Sequence, residues 1–162
     1  MKIRKANTFY LSIAVYIIFL LSSCDKKRYF EEYTEIPNQS WNRNNILRYN
    51  VNISDNKIPL NIFLDIRNSG KYNYSNLYVF LKTQSPEKII RIDTIECVIA
   101  DDNGRWLGKG IGDLWDNQIL VRKNVVFPDT GNYIFEIEQA MRDESLEHIS
   151  DVGLRIEKAI SN

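Results

Sequence analysis

From Asn45 onward the chain places apolar residues on every second position, and this period of two removes most folds from consideration at once. Leu47, Tyr49, Val51 and Ile53 alternate with Arg48, Asn50 and Asn52. Ile58, Leu60, Ile62, Leu64 and Ile66 repeat the pattern against Asn61, Asp65 and Arg67. Successive side chains of a strand point to opposite faces, so each segment has one face for a core and one for solvent. Pro59 is tolerable at the first residues of a strand or on an edge. Leu77, Val79 and Leu81 give a third strand, which Ser85-Pro86 ends. Residues 89–100 read as a longer strand whose apolar phase slips between Ile92 and Ile95, which predicts a bulge. Asp101-Asp102-Asn103-Gly104 reads as a hairpin turn, since Asn-Gly accepts the positive φ of the tight turn types. Further strands are expected over 119–127 and 133–138, and around Val152, Leu154 and Ile156. Residues 140–150 are the only stretch suited to a short helix or compact loop. No helical pattern alternates with the strands, which argues against a parallel α/β sheet. The expectation is an all-β chain, an antiparallel β-sandwich of jelly-roll or immunoglobulin-like type with about eight strands.

The first 23 residues stand outside that domain. Lys2, Arg4 and Lys5 make a positive start, and no acid precedes Cys24. Residues 9–21 (FYLSIAVYIIFLL) form an apolar run of 13, followed at once by Ser22, Ser23 and Cys24. Charged, then apolar, then small residues is the order of an export signal. The run is short for a membrane-spanning helix, which needs about 20 residues, and Asp25-Lys26-Lys27-Arg28 ends it in charge. Leu21-Ser22-Ser23-Cys24 resembles the lipobox of bacterial lipoproteins, in which the Cys thiol takes a diacylglycerol and the chain is cut just before it. Several acyl chains on one residue, palmitate among them, anchor a protein stably where one binds only marginally. The expected organisation is a lipoprotein signal peptide at 1–23, a lipidated tether or lead-in strand at 24–44, and the sandwich at 45–162. Tyr29, Phe30 and Trp41 suggest that part of the second segment packs on the domain, because a disordered linker carries fewer aromatics.

From Cys24 onward the chain holds 18 basic and 21 acidic side chains, a formal charge of −3. Nucleic acid is a poor partner for such a balance, since phosphate binding wants a concentrated basic face. The run Lys26-Lys27-Arg28 beside the lipid site is better explained by headgroup contact. Cys24 and Cys97 are the only cysteines. If Cys24 carries lipid, Cys97 has no partner in the chain; its apolar strand marks it as a buried small hydrophobe, and no basic neighbour activates it. A sandwich of this length buries about two-thirds of its extended surface and needs neither disulfide nor metal.

Residues 101–117 (DDNGRWLGKGIGDLWDN) concentrate glycine, tryptophan and aspartate. Gly108-x-Gly110-x-Gly112 lacks the last spacing of a dinucleotide fingerprint, Lys109 is followed by Gly110 where a Walker loop has Ser or Thr, and a calcium loop begun at Asp101 would end on Gly112 where Glu belongs. The best enzymatic reading pairs Asp113 with Asp116 as glycosidase carboxylates, with Trp106 and Trp115 stacking the sugar. That chemistry needs a defined carboxylate separation and one raised pKa, neither of which a sequence displays. The simpler reading gives the glycines a tight bend and the tryptophans a packing role. His148 is the lone histidine and has no companions for a triad or a zinc site. No cofactor, metal site or small-molecule substrate is expected.

The order of several segments resembles one known family. Asn76-Leu77-Tyr78 follows Tyr72 and Tyr74; then come Gly104 to Trp115, Phe127, Gly131-Asn132-Tyr133, Glu138-Gln139-Ala140-Met141-Arg142 and Asp151 to Glu157. Together with the lipobox they resemble the gliding motility lipoprotein GldH family of the Bacteroidetes. The resemblance implies an outer-membrane lipoprotein, facing the periplasm, that supports surface gliding and the associated type IX secretion machinery. It extends to non-gliding relatives and brings no catalytic residue; only Cys24 carries over. Asp25 after the lipidated Cys would mark inner-membrane retention in enterobacteria, a rule that the resemblance to Bacteroidetes proteins sets aside.

The resulting expectation is a non-enzymatic interaction module, held to the membrane through acylated Cys24 and contacting other gliding or secretion lipoproteins. Its candidate contact residues are Trp115, Trp106, Tyr72, Tyr74 and Tyr78, since interface cores favour Trp and Tyr. Core packing competes with contact for each of these rings. The alternative function is a glycan- or peptidoglycan-binding sandwich that uses Trp115 and the tyrosines as a stacking platform.

Overall fold

The computed structural model describes residues 26–159; the signal segment 1–23, Cys24 and Asp25 lie outside the described residues. Strands run over Arg28–Glu35 (β1), Ser40–Asn42 (β2), Leu47–Ile53 (β3), Leu60–Ser69 (β4), Asn76–Gln84 (β5) and Ile90–Val98 (β6). Lys109–Ile111 (β7), Leu114–Val125 (β8), Gly131–Gln139 (β9), Ser145–Glu147 (β10) and Ile149–Lys158 (β11) complete the set. One sheet has the order β1-β11-β4-β8-β7, the other β3-β9-β5-β6, and β2 pairs with β10. Every pairing is antiparallel.

Setting aside the three-residue strands leaves eight long ones, which run 1-8-3-6 through one sheet and 2-7-4-5 through the other when counted in chain order. That double Greek key is the jelly roll, and it decides between the two expected sandwich types. The alternation in the sequence is realised directly. β3 buries Leu47, Tyr49, Val51 and Ile53 and exposes the residues between them. β4 turns Leu60, Ile62, Leu64 and Ile66 into the core, and β5 turns in Leu77, Val79 and Leu81. Buried hydroxyls such as that of Tyr49 find partners across the sandwich. The Tyr49 hydroxyl donates to the Val152 carbonyl at 2.8 Å, tying β3 to β11 across the sandwich.

Two expectations change, and two open alternatives resolve. Residues 28–42 are lead-in structure, not tether: β1 is an edge strand of the first sheet, and Trp41 on β2 is fully buried with its Nε1 donating to the Asn45 carbonyl at 3.0 Å. β6 carries no bulge, since its register against β5 is unbroken from Asn76↔Val98 to Gln84↔Ile90. The apolar phase slips there for another reason: Ile90 and Ile92 face solvent, and Asp93 takes an inward position that pairs with Arg122 of β8. β8 begins at Leu114, five residues before the expected start, and so contains Trp115. Residues 140–150 hold no helix; Ser145–Glu147 instead pairs with β2 and closes that end of the sandwich.

Candidate functional site

The glycine- and tryptophan-rich segment forms two turns. Asp101 accepts through Oδ1 from the backbone N–H groups of Asn103 and Arg105, and Gly104 sits at φ 75° between them. The chain then makes the β7–β8 hairpin through Gly112 at φ 65°, a conformation that favours glycine. On that hairpin the Trp115 ring lies over Gly110, where a Cβ would stand 2.8 Å from Cζ3. Trp115 is half-buried, and Trp106 packs its half-buried ring against the core.

The expected contact residues do not gather into one patch. Tyr72 is buried in the core, with its hydroxyl donating to the Asn76 carbonyl at 3.2 Å, so its ring offers no contact surface. Tyr74 is exposed, meets Tyr72 edge-on at 5.7 Å, and donates to Asp143 at 2.6 Å. Tyr78 lies on the outer face of the other sheet, where its backbone N–H meets the Met141 sulfur at 3.3 Å. Its hydroxyl binds Glu96, which raises the phenol pKa. Tyr74 and Tyr78 therefore flank the 140–144 loop, and Trp115 lies on β8, one strand in from the edge of the five-stranded sheet. Asp116, the second carboxylate of the glycosidase reading, is engaged by Arg67 at 2.5 Å.

A different site stands on the outer face of the five-stranded sheet. The strand registers lay down three rows there: Glu31–Arg155–Phe63–Leu120, then Tyr33–Gly153–Asp65–Gln118, then Glu35–Asp151–Arg67–Asp116–Lys109. Tyr33, Asp65 and Gln118 of the second row and Arg67, Asp116 and Lys109 of the third line a groove of about 690 Å³, which Val98, Leu107 and Gly108 also border. Gly153 makes the middle row possible. A Cβ on it would stand 2.6 Å from the Tyr33 ring, so the ring lies across β11 only because that position is bare. Tyr33 remains 47% exposed, a flat aromatic surface beside polar groups.

Asp65 is the unusual residue of the groove. It points outward by strand parity yet is only 6% exposed, covered by Tyr33 and its neighbours. Oδ2 accepts the Tyr33 hydroxyl at 3.0 Å, Oδ1 is buried without a hydrogen bond of good geometry, and the Gln118 side chain favours the ionised carboxyl. Burial raises the carboxyl pKa, an effect that Tyr33, Gln118 and Arg155 only partly oppose. Both arginines beside the groove are already matched. Arg67 binds Asp116 and, at 3.3 Å, Asp151; Arg155 binds Glu31 at 2.5 Å and Glu157 at 2.7 Å. A neutral polyhydroxylated ligand meets a ring face and the Gln118 amide there, with Asp116 and Lys109 at the rim. Sequence reasoning passed over this groove. Its signals were a glycine in mid-strand and an aspartate in an outward row beside it.

Comparison with known proteins adds the remaining observation. The family model described as GldH lipoprotein matches residues 28–156. The gliding motility lipoprotein GldH homolog of Christiangramia forsetii is 36% identical over 160 residues, spanning 94% of this chain and 98% of that protein. The gliding motility lipoprotein GldH of Flavobacterium johnsoniae is 30% identical over 162 residues, spanning 96% of this chain and 98% of that protein.

Proposed function

The chain belongs to the GldH lipoprotein family, and from that premise we propose that it is an outer-membrane lipoprotein facing the periplasm. Acyl chains on Cys24 hold it there, and it supports gliding motility and the associated type IX secretion machinery by binding envelope components, without catalysis. The observation that carries the reading is the near-full-length likeness to relatives named for gliding motility, which takes in the signal-like segment as well as the sandwich. The spacing agrees with it: β1 begins at Arg28, four residues after Cys24, so the fold starts where a lipid anchor would end. The test is Cys24→Ser in the native organism. The expected result is a soluble or uncleaved protein together with loss of colony spreading and of type IX export. Unchanged membrane fractionation and the same processed N-terminus would refute the anchor.

A glycan-binding reading has one observation in its favour, and that observation lies in the groove and away from Trp115. Tyr33 offers an exposed ring in a groove that the exposed Gln118 amide and Asp116 carboxylate also line. Stacking on an aromatic face plus hydrogen bonding to a carboxylate is the chemistry that holds a sugar ring. Titration of the protein with soluble peptidoglycan fragments and neutral oligosaccharides, beside Tyr33→Ala, decides it: saturable binding lost in the variant supports the reading, and silence in both removes it.

A further inference from the structure

Antiparallel strands put every second connection at the same end of a sandwich. The end where β1 begins also carries the loops 54–59, 85–89 and 126–130 and the last residues of β11. They are bound to one another. Lys158 N–H donates to the Lys27 carbonyl at 2.8 Å, Ala159 N–H to the Pro59 carbonyl at 2.8 Å, and the Asn56 amide to the Pro128 carbonyl at 2.8 Å. The 85–89 loop is likewise a closed turn, with Ser85 N–H to the Ile89 carbonyl and Lys88 N–H to the Ser85 carbonyl both at 2.9 Å.

These rigid tips present apolar side chains to solvent. Ile89 is 65% exposed, Ile90 53% and Val126 57%. Around them stand the exposed lysines Lys57, Lys88, Lys123 and Lys158, with Lys26 and Lys27 on the incoming chain. The acids at this end are Asp55, Glu87 and Asp129, with Asp25 on the incoming chain, against those six lysines, so it is net positive although the chain from Cys24 onward is net negative. The covalent chain fixes what this end faces. Cys24 precedes Lys27 by three residues, which reach about 10 Å at full extension, and Lys27 is bonded to the domain itself. That span is about one Debye length at physiological salt.

We propose that this end is a membrane-docking face, whose lysines bind the phosphate groups of anionic phospholipids while Ile89 and Val126 enter the headgroup boundary. It rests on the lipid anchor at Cys24 and goes beyond it. The anchor alone leaves the domain free to tumble on its link, and the docking face fixes which way the sandwich points. Each basic group near an anionic surface shifts such an equilibrium about fivefold, and a few exposed apolar side chains in rigid loops add to it without an ordering cost.

The test uses the lipidated full chain in vesicles of phosphatidylethanolamine and phosphatidylglycerol. A fluorophore is placed at Val126→Cys, at the docking end, or at Asp102→Cys, at the far end. Cys97 does not compete for label, being fully buried with its thiol pushed up to about 12 by burial. The expected result is that position 126 is shielded from aqueous iodide and quenched by nitroxide lipids, and position 102 is neither. Lys57→Glu with Lys88→Glu and Lys123→Glu abolishes the shielding at 126 and leaves flotation with vesicles intact. A protein that floats with position 126 as open to iodide as position 102 overturns the docking face and leaves the anchor standing. A protein that fails to float overturns both.

Discussion

Replacing Asp65 with Asn is expected to make the protein more stable at neutral pH. The carboxyl is almost fully buried, and its Oδ1 lacks a partner. A buried polar atom left unsatisfied costs about 1–3 kcal/mol, and more when it is charged. Asn keeps an acceptor for the Tyr33 hydroxyl, which now donates at 3.0 Å, and removes the charge. The sign follows from linkage. Burial raises the folded-state pKa of Asp65, so the native chain holds this proton to a higher pH than the unfolded chain does. The group's contribution is full below the unfolded pKa of about 3.9 and is lost as pH rises through the folded value. Asp65→Asn should therefore match the parent near pH 3.5 and exceed it by about 1–2 kcal/mol near pH 7. For a domain of this size that is a rise of about 3–6 °C in Tm. Tyr33→Phe should move stability the other way near neutral pH, since it strips the carboxylate of its one good hydrogen bond. The assay is urea unfolding of both variants across that pH range. An Asp65→Asn protein less stable than the parent at neutral pH, or a gain that does not fade with acid, would refute the claim that this carboxylate is held at a cost.

Three further outcomes follow from the same structure. Trp41→Ala removes a fully buried indole together with its hydrogen bond to the Asn45 carbonyl; a loss of about 3–5 kcal/mol, read as a lower urea midpoint, would show that the segment before residue 45 belongs to the folding unit. Glu136 lies between Lys82 and Arg48, and the Lys82 hydrogen bond, with Arg48 beside it, holds its carboxyl below the usual range. Its stabilisation is present above the unfolded carboxyl pKa and fades as pH falls through the folded value. Because both cations are partly exposed, Glu136→Gln should cost only about 0.5–1 kcal/mol near neutral pH and nothing near pH 3; an undiminished cost in acid would contradict it. Cys97 should resist thiol reagents at mildly alkaline pH until the chain is unfolded, since burial pushes its pKa to about 12. Prompt labelling of the folded protein would place Cys97 outside the core.

The sheets were legible because burial on one face imposes a period of two that local sequence alone can carry. Tyr49 and Val51 declare their face by their neighbours, and the structure follows them. Pairing partners were not legible. Nothing within β11 announces that β1 and β4 flank it, because strand order is settled by the long connections of a Greek key and by contacts far apart in sequence. The bulge expected in β6 shows the limit of the periodic signal: an inward Asp93 paired across the sandwich and an outward Ile92 mimic a slip in phase. Trp115 and Trp106 drew attention by their chemistry, yet both pack at least half their surface. The groove was hidden for the opposite reason. Tyr33, Gly153, Asp65 and Gln118 come from four strands and meet only through the register.

The topology also explains why recognition chemistry would gather at one end. In this jelly roll the connections that share an end with β1 are the short ones, 54–59, 85–89 and 126–130. The opposite end carries residues 36–46, 70–75, 99–108 and 140–148, which include the longest excursions of the chain. Long loops on a rigid scaffold are where binding surfaces form, and a chain anchored at its first strand would hold those loops at the far end of the sandwich from the bilayer. Trp106, Tyr74 and the Met141–Asp143 corner all lie on that far side. The groove with Tyr33 lies along the flank and reaches Leu107 and Gly108 of the 99–108 loop. A partner seated on Tyr74 and the 140–144 loop leaves Tyr33 open to a ligand, whereas one seated on the 99–108 loop competes with it. Substitutions at Tyr74 and at Tyr33 should then impair separable properties, and defects that always travel together would mean that one surface serves both.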